Sequence, residues 1–95
     1  MLESAIEQRF AREARKLNCL AVKMGVVSIA GFPDRLVLCP GGRAIFFEFK
    51  QPGKKRRKLQ IRIGQLIESL GFVVIESDDA DEAIAELKWF LENQG

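Results

Sequence analysis

Residues 35–50 read RLVLCPGGRAIFFEFK, and this stretch decides the fold. RLVLC (35–39) and AIFFEFK (44–50) are apolar and aromatic runs of strand length. Between them Pro40, Gly41 and Gly42 form a tight-turn signal, so the stretch predicts an antiparallel hairpin. Side chains two apart on a strand share a face, which sets Glu48 and Lys50 on one side and Phe47 and Phe49 on the other. Buried charges are costly without partners. The aromatic face can therefore enter a core while Glu48 and Lys50 front a cleft.

Outward from the hairpin, two periodicities organise the chain. Residues 2–17 place Leu2, Ile6, Phe10, Ala14 and Leu17 at helical spacing, with Glu7 beside that stripe. CLAVKM (19–24) reads as a short strand, and GVVSIAGFP (25–33) as loop or bend. After the hairpin, QPGKKRRK (51–58) is a basic loop. Residues 59–70 carry Leu59, Ile63, Leu66, Ile67 and Leu70 at helical spacing, and Gly71 stands where a C-cap glycine belongs. FVVIE (72–76) reads as a buried strand. Asp79 with Glu82 three later resembles a capping box, opening a last helix through Ala83, Ile84, Leu87 and Leu91. A right-handed crossover should make the strands within Ala44 to Glu76 parallel. The expected fold is α/β: a mixed central sheet flanked by helices, in the order α-β-β-β-α-β-α, as one domain over residues 1–95.

Composition narrows the chemistry. The 95 residues are 47% apolar, enough for one core. No apolar run has the length of a membrane span and the first residues lack an apolar signal core, so a soluble, cytoplasmic protein is expected. If the chain is phage-encoded, that is the host cytoplasm. Histidine is absent, which removes Ser-His-Asp and Cys-His catalysis and imidazole metal sites. Cys19 and Cys39 are expected to be small core residues. The net charge of +2 conceals a strong polarity. Seven basic residues and no acid lie between Lys50 and Ile67; seven acids and one lysine lie between Glu76 and Gly95. A basic stripe of this kind suits a polyanion, although solvated loops can look the same.

Asp34 follows the Gly31-Phe32-Pro33 bend and begins the first hairpin strand. Folding the hairpin about residues 40–42 brings Asp34 and Glu48 together at its open end. Two close carboxylates repel unless a proton or a cation lies between them, and a divalent ion is the natural solution. Carboxylate and water ligands suit magnesium or manganese. Lys50 could stabilise developing phosphoryl charge or orient a water. Taken singly, Glu48 and Lys50 could instead be an exposed ion pair, and Asp34 an ordinary turn aspartate.

An acid after a Gly-x-Pro bend, followed by Glu-x-Lys on the next strand, resembles the signature of the PD-(D/E)xK nuclease superfamily. The segments ESAIEQRF, GFPDRLVL, PGG, FFEFKQPGKK, LQ and SLGF together resemble its VRR-NUC branch, in the stand-alone form common in phages and prophages. The resemblance covers most of the chain. It implies Asp34 and Glu48 as metal ligands, the Phe49 carbonyl as a further ligand, Lys50 as the catalytic lysine and Gln60 as the glutamine of the following helix. It also implies a first-helix glutamate, for which Glu7 is preferred over Glu3. The implied activity is an Mg²⁺- or Mn²⁺-dependent, structure-selective endonuclease, a Holliday-junction resolvase acting as a homodimer. Lys54, Lys55, Arg56, Arg57, Lys58 and Arg62 would neutralise phosphates of branched DNA. A non-catalytic branched-DNA-binding module, or a flap or nicking nuclease needing a partner, is the alternative. Trp89 and Phe90 on the last helix are a candidate dimer surface, though large aromatics are more often core.

Overall fold

The computed structural model describes residues 2–25, 28–54 and 57–94. The chain runs α1 (Glu3–Lys16), β1 (Leu20–Lys23), β2 (Arg35–Cys39), β3 (Arg43–Phe49), α2 (Lys58–Ser69), β4 (Val73–Ser77) and α3 (Ala80–Asn93). The four strands form one sheet in the order β1-β2-β3-β4. The first two pairings are antiparallel and β3 pairs with β4 in parallel. This is the mixed α/β architecture that the periodicities predict.

The β2–β3 ladder sets Arg35 opposite Phe47 and Cys39 opposite Arg43, which leaves Pro40 to Gly42 as the turn. Alternation then sorts the aromatics of β3. Phe47 and Phe49 meet Phe10 of α1, with ring centroids 4.5 and 5.1 Å apart. Phe46 points the other way and meets Phe32 and Phe72 edge-on, each at 5.6 Å. The main core lies on the first face, where Ile6, Phe10 and Ala14 of α1 join Ala83, Ile84, Leu87 and Phe90 of α3 over Val37, Ile45 and Phe47. Cys19 and Cys39 are buried there as free thiols. Burial, with Cys19 beside it, pushes the Cys39 thiol up to about 12, so it stays protonated as a core residue does.

Three local expectations need correction. The stripe on α2 is narrower than its spacing suggests: Gly64 and Ile67 are buried, whereas Leu59, Leu66 and Leu70 are exposed. The reason is that α2 packs on the β4 side of the sheet, and a single edge cannot cover a full stripe. FVVIE is not a fully buried strand: Val73 to Glu76 are half-buried, and Phe72 precedes the strand and is exposed. Asp79 does cap α3, accepting from the Asp81 amide, but the reciprocal half of the box is made differently. The Asp79 amide donates to Ser77 Oγ, and Glu82 meets the same hydroxyl. Gly71 ends α2 as expected, with φ at 98° and its amide on the Glu68 carbonyl.

Candidate metal centre

The site forms at one end of the sheet, where β3 and the parallel β4 finish, β2 begins and β1 finishes. The first turns of α1 and α2 reach the same end, through Glu3 and Gln60. A cavity of about 420 Å³ opens there, lined by Glu3, Asp34, Glu48, Phe49, Lys50 and Gln60, with Gln51, Lys54 and Arg57 at its margin.

Asp34 is fixed from the hairpin. Its Oδ2 accepts the Phe49 amide at 2.7 Å, and its backbone carbonyl accepts the Met24 amide at 2.9 Å. The antiparallel register carries it across from Glu48, and both carboxyl groups line the same cavity. Glu48 is 2% exposed, a depth at which a carboxylate needs fixed partners. Gln60 supplies one, its Nε2 donating to Glu48 Oε2 at 2.8 Å. The other end of that amide, Oε1, accepts the Arg57 backbone N–H at 2.8 Å. Gln60 thus ties the start of α2 to the acid on β3. Lys50 lies on the same side of the chain as Glu48 and is ion-paired with Glu76 of β4.

Burial drives the Asp34 pKa above its ordinary 3.8, and the charge of Glu7 adds to that; the Phe49 amide and the contact with Glu48 pull the other way. Glu3 is also raised, first by burial and then by Asp34 and Glu7. Carboxylate oxygens of Glu3, Glu7 and Asp34 lie within 4.8 Å of one another. So concentrated a set of acids favours protonation in the absence of a counter-charge and favours a hard, oxygen-preferring cation in its presence. The donor set therefore fits a magnesium- or manganese-type ion.

Glu7, the preferred first-helix acid from sequence, is close by but is not on the cavity wall. It is buried, and its Oε1 accepts from Arg35 Nε at 2.7 Å and Lys23 Nζ at 3.4 Å. Glu3, one turn earlier, lines the cavity.

No family model matches the chain. A curated relative, described as "Putative nuclease p44" of Acyrthosiphon pisum secondary endosymbiont phage 1, is 39% identical over 79 residues. The match spans 83% of this chain and 85% of the relative. A solved structure described as a VRR_NUC domain superposes with a TM-score of 0.80, covering 96% of this chain and 95% of that one at 22% identity. The chain belongs to the family of this phage relative, and it has the fold of a VRR_NUC domain.

Within this chain the basic residues predicted from sequence divide by position. Lys54 and Arg57 stand at the cavity. Lys58 and Arg62 are exposed on α2 and do not line it. Lys55 and Arg56 lie outside the described residues. A second cavity, about 250 Å³, adjoins the first through Asp34, Arg57 and Gln60 and is walled by Gly25 and Ile29 to Phe32. The bend that forms this wall needs Gly31: φ is +83°, and a Cβ there would lie 2.9 Å from the Leu59 carbonyl oxygen of α2. Sequence reasoning did not find Arg35, Lys23 or Glu76. The available signal was a cation at the head of an otherwise apolar strand, as in Arg35, which needs a buried acid to justify it.

Proposed function

We propose that this chain is a divalent-metal-dependent endonuclease that hydrolyses DNA phosphodiesters. The observation that carries the reading is the convergence of Asp34 and Glu48 on one cavity bordered by Lys50, Lys54 and Arg57. Acids that repel one another, set beside cations that attract phosphate, are the parts of a metal-assisted phosphoryl site. The relative's description as a nuclease supports the same reading.

Asp34 and Glu48, with the Phe49 carbonyl and a first-helix acid, would hold one or two Mg²⁺ or Mn²⁺ ions. Such an ion supplies a more acidic bound water and offsets phosphate charge. The remaining work belongs to side chains. The Phe49 amide fixes Asp34, and Gln60 fixes Glu48, so both carboxylates meet the substrate in one orientation. Lys50 places a cation beside the reacting phosphate and orients the attacking water. Lys54, Arg57 and their basic neighbours Lys55, Arg56, Lys58 and Arg62 would draw in the DNA backbone. Their contacts are sequence-independent, which favours selection by DNA structure.

The finer proposal is a Holliday-junction resolvase working as a homodimer in the cytoplasm, since two symmetric cuts suit a two-fold assembly. Phe90 is buried in the core, which leaves exposed Trp89 as the aromatic of α3 available to a partner copy. The test uses labelled four-way junction, 5′ flap and plain duplex, each with Mg²⁺, Mn²⁺ or EDTA, beside Glu48→Ala. Paired symmetric cuts in the junction, lost with EDTA and in the variant, are expected, together with a dimer by sedimentation. Cutting of the flap alone would make it a flap nuclease. Junction binding without cutting in either metal would leave a DNA-binding module.

A further inference from the structure

Glu3 and Glu7 are four residues apart on one helix and share a face, yet they meet different surroundings. Glu7 is 4% exposed, and a single oxygen, Oε1, receives both Arg35 Nε at 2.7 Å and Lys23 Nζ at 3.4 Å. The Arg35 side chain is 11% exposed and is pinned a second time, through Nη1 to the Ala21 carbonyl at 2.9 Å. Lys23 and Arg35 stand directly opposite each other in the β1–β2 ladder. Two neighbouring strands thus present two cations to one carboxylate of α1. A buried guanidinium with two fixed acceptors has little freedom, and its charge stays where the fold puts it. Glu3 has a different neighbourhood, on the cavity wall with Asp34 and Glu48.

We infer that Arg35 is a positioning residue, which holds and neutralises Glu7 so that Glu3 is the first-helix acid that meets a divalent ion. The inference rests on the metal-site reading above. Without Arg35, a fourth carboxylate would join the cluster with its full charge, because the oxygens of Glu3, Glu7 and Asp34 are within 4.8 Å of one another. The guanidinium sets both the number of acids that reach an ion and the charge that the ion experiences.

The test measures Mn²⁺ binding by calorimetry without DNA, for wild type, Glu3→Gln, Glu7→Gln, Arg35→Met, the Glu7→Gln/Arg35→Met pair and Glu48→Ala. Circular dichroism and thermal melting confirm that each is folded. Glu3→Gln should weaken Mn²⁺ binding about tenfold. Glu7→Gln should weaken it by clearly less than Glu3→Gln does while lowering the melting temperature, because Arg35 loses its carboxylate. Arg35→Met should tighten binding by about fivefold, since a cation leaves and Glu7 is released. That gain should vanish in the double variant, which carries no unpaired buried charge and remains informative if a single variant fails to fold. Damage to a merely structural pair would weaken binding instead. Weaker or unchanged binding in folded Arg35→Met overturns the inference, as does a loss in Glu7→Gln that matches or exceeds Glu3→Gln. If Glu48→Ala binds Mn²⁺ as wild type does, the metal-site reading itself fails, and this inference with it.

Discussion

Lys50 is the residue whose role can be separated most cleanly from metal binding. It lines the cavity but is a cation, paired with Glu76, and contributes nothing to holding another cation. Lys50→Met should reduce hydrolysis by about a hundredfold or more, the scale of losing one electrostatic contact to the transition state. Mn²⁺ binding should be no weaker than in wild type, as single-turnover cleavage and calorimetry on the same preparation would reveal. Full activity in the folded variant would remove the lysine from the mechanism. Asp34 makes a second prediction, through pH. Its folded-state pKa is raised above 3.8, so the folded protein binds this proton more tightly than the unfolded chain does. Its contribution to stability is whole below the ordinary value and is lost as pH rises through the raised one. In EDTA, Asp34→Asn should melt near wild type in acid and above it at neutral pH. Added Mg²⁺ should raise the melting temperature of wild type at neutral pH and leave Asp34→Asn unchanged. A gap that narrows with rising pH would reverse the sign.

At the scale of elements, the site depends on how the ends of α1, α2 and the hairpin are fastened together. Gly31 is the tightest of these fastenings. An alanine would place Cβ 2.9 Å from both the Leu59 carbonyl oxygen and its Cγ, on a backbone with φ at +83°. The carbonyl belongs to a helix and cannot swing aside. Gly31→Ala should therefore cost about 1–3 kcal/mol, a combination of left-handed strain and overpacking. Chemical denaturation would measure it. The displacement should also disturb Gln60, one residue beyond Leu59, and through it the Glu48 carboxylate. At Gly42 in the hairpin turn only the backbone strain would remain, because φ is +75° but a Cβ would meet nothing within 4 Å.

For the whole molecule, the segregation of charge along the sequence becomes segregation in space. The acids that follow β4 lie around α3, where Asp81 pairs with Arg9. The basic segment between β3 and α2 borders the cavity through Lys54 and Arg57. The logarithm of DNA affinity should fall linearly with log salt, with a slope in proportion to the phosphates neutralised. Replacing Lys54 and Arg57 together by alanine should lower the magnitude of that slope by about two and weaken junction and duplex binding alike. Fluorescence anisotropy across a salt series would check this. A slope that does not change would place the backbone contacts elsewhere. A loss confined to the junction would mean that these side chains read DNA structure.

The sequence by itself determined the two periodicities, the hairpin and its register, and hence the meeting of Asp34 and Glu48 with Lys50 on the same side. These are local properties: a three-residue turn fixes the register, and a period of two fixes the face. Only the tertiary structure decided the rest. Glu3 and Glu7 occupy equivalent places on a helical wheel, and the choice between them depends on how far α1 is advanced over the sheet and where Arg35 stands beneath it. The exposed Leu59 and Leu66 of α2 have the same origin, since a helix can carry an apolar stripe wider than the surface it rests on. Gln60 reaches Glu48 across a connection of twelve positions, and no periodicity spans such a gap. What a residue is and which way it faces follow from its neighbours in sequence. What it touches follows from the docking of elements, which the core contacts of Phe10, Phe47 and Phe49 settle at long range.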